Sequence, residues 1–215
     1  MLLSSIINSI FPPRCISCDG LLREVEFSNP ICPACNSHIN WLRSDFFNPE
    51  LESVSFVSAR SLAAFDGPWR DVVHNLKYNK RLDLVGPLAG LLGRNIDYEY
   101  DLITAVPLHK KRLRHRGYNQ SALLARRLAR RAGINFTPNL LVRWADSPQQ
   151  VGLSSAERLK NVRGAFLCGR PDDVRGRDIL IVDDVMTTGA TVNECAKALK
   201  NSGAARVDVL TLARA

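Results

Sequence analysis

No run of apolar residues in this sequence approaches the ~20 needed to span a bilayer. The opening Met1–Phe11 also lacks the basic start and the small-residue cleavage site of a secretory signal. Leu2, Leu3, Ile6, Ile7, Ile10 and Phe11 fall at helical spacing there, so a short docking helix is expected and, by default, a cytoplasmic location. Internal repeats and low-complexity segments are missing too, which excludes solenoid and disordered architectures. Acidic residues are absent from one long stretch: between Leu102 and Ala145 stand ten Lys/Arg and no Asp or Glu, in a chain of net charge +8. A solubilising surface carries mixed signs. The block therefore points to a polyanion, either pyrophosphate at short range or nucleic acid over a longer surface. The remaining composition is ordinary, 46% hydrophobic and 23% charged over 215 residues. That is enough for one large domain, or one domain plus a small module.

Four of the six cysteines form two C-x₂-C pairs, Cys15-Ile16-Ser17-Cys18 and Cys32-Pro33-Ala34-Cys35, with thirteen residues between them. Two such knuckles can set four thiolates at the corners of a tetrahedron, as a structural Zn²⁺ site requires. With Cys15, Cys18, Cys32 and Cys35 all supplied, no coordination position stays open for catalysis. A reducing compartment disfavours disulfides, and a redox motif needs only one pair. A segment this small has little core, so the metal would supply its folding energy. Whether the module is purely structural or an interaction surface stays open. His38 and Trp41 read as packing residues, as do the isolated Cys168 and Cys195. Residues 1–50 are thus expected to hold the N-terminal helix and the four-cysteine zinc-binding module, with a linker at Leu42–Val54 and an α/β domain over 55–215.

In that domain a strand, Ala59–Phe65, leads to Asp66-Gly67-Pro68, a turn placed to open a helix. Trp69–Tyr78 then carries Val72, Val73 and Leu76 on one face, and Leu84–Leu92 reads as a second helix. Asp101–Leu108 is a buried strand running straight into His109-Lys110-Lys111-Arg112-Leu113-Arg114-His115-Arg116. A helix from about Asn119 puts Ser121, Leu124, Ala125, Leu128, Ala129 and Ala132 on one arc, with Arg126, Arg127, Arg130 and Arg131 opposite. Those four arginines suit a solvated face and a nucleic-acid contact equally. After a strand at Asn139–Trp144 comes a polar stretch from Asp146 to Ser154, of the kind that forms lids and binding loops. Arg206–Leu212, alternating and β-branched, is expected as an edge strand.

The stretch from Asp178 to Leu199 organises the rest. Ile179–Val182 is an unbroken apolar run suited to a strand buried on both faces of a parallel sheet. Asp183 and Asp184 stand where that strand should end, and Thr187-Thr188-Gly189-Ala190-Thr191 follows. A helix with Val192, Cys195, Ala196 and Leu199 on one stripe comes next. A strand, a glycine-bearing polar turn and a helix N-terminus make an anion site that favours phosphate. Acids beside it would repel a phosphate, so their natural work is to accept hydrogen bonds from sugar hydroxyls. Binding Mg²⁺, as receiver domains do, would leave the threonine-glycine turn unexplained.

Val182-Asp183-Asp184-Val185-Met186-Thr187-Thr188-Gly189-Ala190-Thr191 resembles the phosphoribosyl pyrophosphate (PRPP) motif of type I phosphoribosyltransferases. The resemblance implies that fold: a parallel sheet flanked by helices, with a hood loop, joined here to a small zinc-finger module of four cysteines. It assigns Asp183 and Asp184 to the ribose hydroxyls and Thr187, Thr188, Gly189, Ala190 and Thr191 to the 5′-phosphate. Val106, Pro107, Leu108 and His109 go to the pyrophosphate side, supported by Arg112, Arg114 and Arg116, with Mg²⁺ accompanying PRPP. The polar segment from Asp146 takes the place of the hood, which closes over a reactive sugar cation.

The whole set of motifs is similar to the ComF/GntX family: the paired C-x₂-C module, V-P-L with a basic run ending R-G-Y-N-Q, and S-P-Q-Q-V-G-L-S-S-A-E-R before the PRPP motif. This resemblance implies natural competence and DNA uptake. Its expected partners are PRPP, single-stranded DNA and other DNA-uptake proteins such as a competence helicase. Single-stranded DNA would use the acid-free block, including Arg126, Arg127, Arg130 and Arg131, with Trp144, Tyr118 and His115 as stacking groups. The alternative is an active, Mg²⁺-dependent phosphoribosyltransferase acting on a nucleobase or related amine without a direct DNA role. No general base is identifiable in the sequence.

Overall fold

The computed structural model of the chain describes residues 12–22, 30–42, 53–145 and 162–215. The Met1–Phe11 helix, most of the Leu42–Val54 linker and the hood segment 146–161 lie outside the described residues. Among those described, the strands are β1 (Ser58–Ala64), β2 (Leu102–Ala105), β3 (Asn135–Phe136), β4 (Leu141–Arg143), β5 (Phe166–Cys168), β6 (Asp178–Met186) and β7 (Arg206–Arg214). The helices are α1 (Pro33–Asn36), α2 (Gly67–Tyr78), α3 (Val85–Gly93), α4 (Lys110–Arg116), α5 (Gln120–Ala132) and α6 (Ala190–Asn201).

A five-stranded parallel sheet runs β1-β7-β6-β2-β3, and β4 pairs with β5 in a separate antiparallel ribbon. Alternation along β6 divides its side chains between two cores. Leu180 and Val182 pack with α2, α3 and α5, whereas Ile179 and Ile181 pack with α6 and the β4–β5 ribbon. Burial on both faces is why β2 and the first half of β6 read as unbroken apolar runs.

β7 is interior, not the expected edge. It pairs with β1 from Ser58↔Asp208 to Ala64↔Arg214, and with β6 from Asp178↔Arg206 to Met186↔Arg214. Its polar positions mimic a half-solvated strand, but each is satisfied inside. Thr211 Oγ1 lies 2.7 Å from Ser61 Oγ, and Asp208 accepts from the Tyr100 hydroxyl at 2.7 Å and from Arg206 Nε at 2.8 Å. Other elements differ from expectation as well. The basic run after β2 folds into α4, β3 is an added edge strand, and Ala132 is exposed at the end of α5.

The cysteine module is seated on the α/β domain. Cys15, Leu22, Ile31 and Ile39 belong to the same apolar cluster as Trp69, Val72, Val73 and Leu76 of α2. Trp41 bridges Ala63 of β1 in antiparallel sense and its ring lies 5.2 Å from that of Trp69. The Leu42 amide donates to the Leu62 carbonyl and the Ala64 amide to the Asn40 carbonyl, each at 2.9 Å. The module thereby covers a sheet edge that would otherwise present unpaired backbone groups.

Candidate functional site

β2 and β6 are paired only as far as Ala105↔Val182, after which β6 continues to Met186 against β7 alone. The acid pair thus lies inside the paired part of β6, not beyond it. Its β2 side opens because β2 has already turned away. The turn begins at Val106, whose amide donates to the Val182 carbonyl at 3.1 Å, and passes through Pro107 and Leu108 to His109, the N-cap of α4. Asn119 Nδ2 donates to the Val106 carbonyl at 3.0 Å, and its Oδ1 caps α5 through the amides of Ser121 and Ala122. One asparagine therefore ties the loop after β2 to the start of α5.

The two carboxylates are unequal. Asp183 is half-buried, and its Oδ1 accepts from Ser121 Oγ at 2.7 Å and from the Asp184 amide at 2.9 Å. Asp184 is buried on the opposite face of the strand. Lys77 Nζ lies 2.9 Å from its Oδ1, and Gln120 Nε2 donates to its Oδ2. Arg116 in turn holds the Gln120 carbonyl at 2.6 Å. Burial first, and the charge of Asp184 second, push the Asp183 carboxyl up to about 7, while Ser121, Lys77 and the Asp184 amide pull against that rise.

Beyond Met186, Thr187, Thr188 and Gly189 form the bend that enters α6. Gly189 sits at φ 77°, a left-handed conformation that disfavours any side chain, and serves as the N-cap. Thr188 Oγ1 accepts from the Ala190 amide at 3.4 Å, and Thr187, Thr188 and Thr191 are all partly exposed. Hydroxyls, first-turn amides and the positive end of a twelve-residue helix converge on one spot, a geometry that suits a phosphate. Asp183 stands three residues before the end of the preceding strand.

The basic residues divide into two groups. Lys110, Lys111, Arg114 and His115 of α4 are exposed and Arg112 is half-buried. On α5, Arg126, Arg130 and Arg131 are exposed, and Arg131 also reaches α3, its guanidinium 3.6 Å from where a Cβ on Gly90 would stand. Arg127 is half-buried and approaches Gly86 in the same way at 3.9 Å. The expected four-arginine face is therefore split. Among the expected stacking groups, Trp144 is 62% exposed, with its indole N–H on the Gly164 carbonyl, and His115 is exposed. Tyr118 is instead a packing residue whose hydroxyl donates to the Leu76 carbonyl. Tyr78 was not foreseen. It is 58% exposed, stacked on His74 at 4.6 Å and overlain by Arg116 at 5.3 Å.

The sulfur atoms of Cys15, Cys18, Cys32 and Cys35 all lie within 4.8 Å of one another. A tetrahedral zinc tetrathiolate separates its sulfurs by about 3.8 Å, so the set fits that ion. Burial raises the Cys15 thiol, but the backbone amides of Cys18, Cys32 and Ser17 outweigh it and bring it down to about 6. Burial and then the neighbouring thiols raise Cys35 to about 12. Four thiolates at this spacing call for a cation between them. Gly20 leaves room for the second ligand, since a Cβ there would stand 3.3 Å from Cys18 Sγ.

Lys77, Asn119, Gln120 and Ser121 were missed in the sequence. Gln120 and Ser121 had a readable signal, being polar residues at the head of a helix face that is otherwise apolar and buried. Lys77 had none. A separate shallow cleft, at the amino ends of the strands, is lined by Arg60, Asp97, Tyr100 and Asp208. Its polar groups pair with one another, as in the Arg60–Asp97 contact at 2.5 Å, and ligands of open parallel sheets bind at the opposite ends.

Asp183 holds its proton more tightly in the folded chain than an unfolded carboxyl does at about 4. Its contribution to stability is thus complete below pH 4 and is lost as pH rises through about 7. Asp183→Asn is expected to stabilise the protein by about 1 kcal/mol at pH 8 and by little at pH 4. Urea unfolding at the two pH values measures the difference.

The phosphoribosyl transferase domain matches residues 119–215. The DNA utilization protein YhgH of Escherichia coli K12 is 32% identical over 210 residues, covering 92% of this chain and 89% of that protein. Competence protein F of Haemophilus influenzae is 30% identical over 207 residues, covering 92% and 90%. Among solved structures, glutamine PRPP amidotransferase from B. subtilis aligns over 65% of this chain and 30% of its own, at 23% identity and a TM-score of 0.44. Among the described residues no helix is long and apolar enough to cross a membrane. With the parallel sheet and the four clustered cysteines, these likenesses identify the chain as a member of the ComF/YhgH family, a type I phosphoribosyltransferase fold carrying an N-terminal cysteine module.

Proposed function

We propose that the protein is a competence-type DNA-uptake factor whose crevice binds PRPP and whose basic surface handles single-stranded DNA. The observation that carries the PRPP reading is the placement of Asp183 and the Thr187–Thr191 turn around one opening at the end of β6. The turn and the head of α6 would take the 5′-phosphate through amides and hydroxyls. Of the acid pair, Asp183 is the accessible member and would take the ribose hydroxyls. The loop Val106–His109 would face the pyrophosphate, with Arg112, Arg114 and Arg116 near it on α4. Mg²⁺ would arrive with PRPP, where hard phosphate and carboxylate oxygens suit it. The four cysteine thiolates would hold a structural Zn²⁺.

The DNA reading draws on the names of the relatives and on the interleaving of cations with an exposed aromatic at the same end of the sheet. Tyr78 with Arg116, and near them in the chain Lys80, Arg114 and His115, offer a stacking face within a positive field, Arg81 being paired with Asp83. Arg126, Arg130 and Arg131 would extend that field, while the half-buried Arg127 packs on α3.

Calorimetric titration of Mg²⁺-PRPP into the wild type is expected to give saturable binding that weakens more than tenfold in Asp183→Asn/Asp184→Asn. A folded, zinc-loaded wild type that binds no PRPP would refute the site. For DNA, Tyr78→Ala should weaken oligo-dT binding about tenfold. Arg114→Gln/Arg126→Gln/Arg130→Gln should flatten the salt dependence by about one to two in log–log slope. Unchanged affinity and slope in both variants would remove this surface. Withdrawing zinc with a chelator should lower the melting temperature by more than about 5 °C and alter Trp41 and Trp69 fluorescence, both reversed by added Zn²⁺. Melting indifferent to the metal would refute a structural zinc.

A further inference from the structure

A carboxylate that is to accept from a sugar must be within its reach, and Asp184 is only 4% exposed, with Lys77 on one oxygen and Gln120 on the other. Its neighbours are locked in turn. Arg116 fixes the Gln120 amide, and the Tyr118 hydroxyl fixes the last turn of α2 through the Leu76 carbonyl, one residue before Lys77. Three elements thus converge on a single ion pair. Stability alone does not account for this, because a buried pair returns little more than the desolvation it costs.

The lysine is the more accessible partner, its side chain 18% exposed against 5% for the carboxylate. An ammonium carries three donors, and Asp184 takes one. Lys77 also lies near enough to Asp183 for its charge to pull down that carboxyl. Ser121, beside Gln120 in α5, touches Asp183 itself. A flexible four-carbon side chain is ordinarily a poorly aimed ligand. Here the Asp184–Gln120–Arg116 chain aims it.

We propose that Lys77 is a phosphate-binding residue of the crevice, and that Asp184 and Gln120 are positioning residues which hold its ammonium toward the pyrophosphoryl group of the ligand. The proposal rests on the phosphoribosyl reading and divides the acid pair by task. Asp183 meets the sugar, and Asp184 holds the cation that meets the phosphate.

Two probes separate these tasks in the full chain: Mg²⁺-PRPP, which has both diol and pyrophosphate, and Mg²⁺-pyrophosphate, which has no diol. Lys77→Met is expected to weaken both at least tenfold, and Lys77→Arg to recover most of the loss. Asp184→Asn should weaken pyrophosphate several-fold, because the ammonium loses its anchor. Asp183→Asn should weaken PRPP at least tenfold while leaving pyrophosphate within about twofold. Lys77→Met strands a buried charge, so Lys77→Met/Asp184→Leu, which removes both charges, provides a folded control confirmed by circular dichroism. Wild-type pyrophosphate affinity in that double variant overturns the proposal and leaves the PRPP site standing. A wild type that binds neither probe overturns the phosphoribosyl reading, and this inference with it.

Discussion

A parallel strand that outgrows its neighbour must find another use for the side it exposes, and the termination of β2 at Ala105 imposes this on β6. From Asp183 onward β6 has β7 on one side and a gap on the other. Side chains at the gap are neither core nor free surface. Any polar group there has to be met by a neighbouring element or by a ligand. The site-building features of the molecule follow from that gap. The first turn of α5 fills part of it with Gln120 and Ser121, the end of α2 reaches it with Lys77, and the turn after β2 forms its far wall, tied back through Asn119.

Strand alternation then turns two adjacent acids into two different groups. Asp184 joins the face covered by α2 and α5 and acquires an ion pair, while Asp183 keeps partial access to solvent and a carboxyl that resists ionisation. Chemical identity at neighbouring positions conceals a difference in environment, one acid buried with a cation and the other half-buried beside a hydroxyl.

Much of this could be read before any coordinates, for identifiable reasons. The strand-turn-helix around Thr187–Thr191 is local, and its signals are steric and electrostatic properties of a few adjacent residues. The paired C-x₂-C spacing is similarly self-contained, and the buried stripes of α2, α5 and α6 follow from helical periodicity. What escaped was non-local. β7 alternates as an edge strand would, and only the return of β1 from the far end of the chain puts it inside. Arg127 and Arg131 fall on the polar arc of α5, yet the glycines of α3 leave room for them to lie flat. Lys77 ends an ordinary amphipathic helix. Its partner is more than a hundred residues away, and nothing around it announces that distance.

The interior position of β7 bears on how the molecule comes into being. The strand that divides β1 from β6 is made last, after both of its neighbours, and its contacts with β1 span about 150 residues. A growing chain can assemble the cysteine knuckles and the α2–α3 pair early, but it holds two unsatisfied strand edges until residues 206–214 emerge. Loops of that length close slowly. The seating of Trp41 against β1 and Trp69 covers the other edge of β1, the one β7 does not reach. The two sides of β1 are thus closed by parts of the chain far apart in sequence, the outer by the cysteine module just before it and the inner by a strand about 150 residues later.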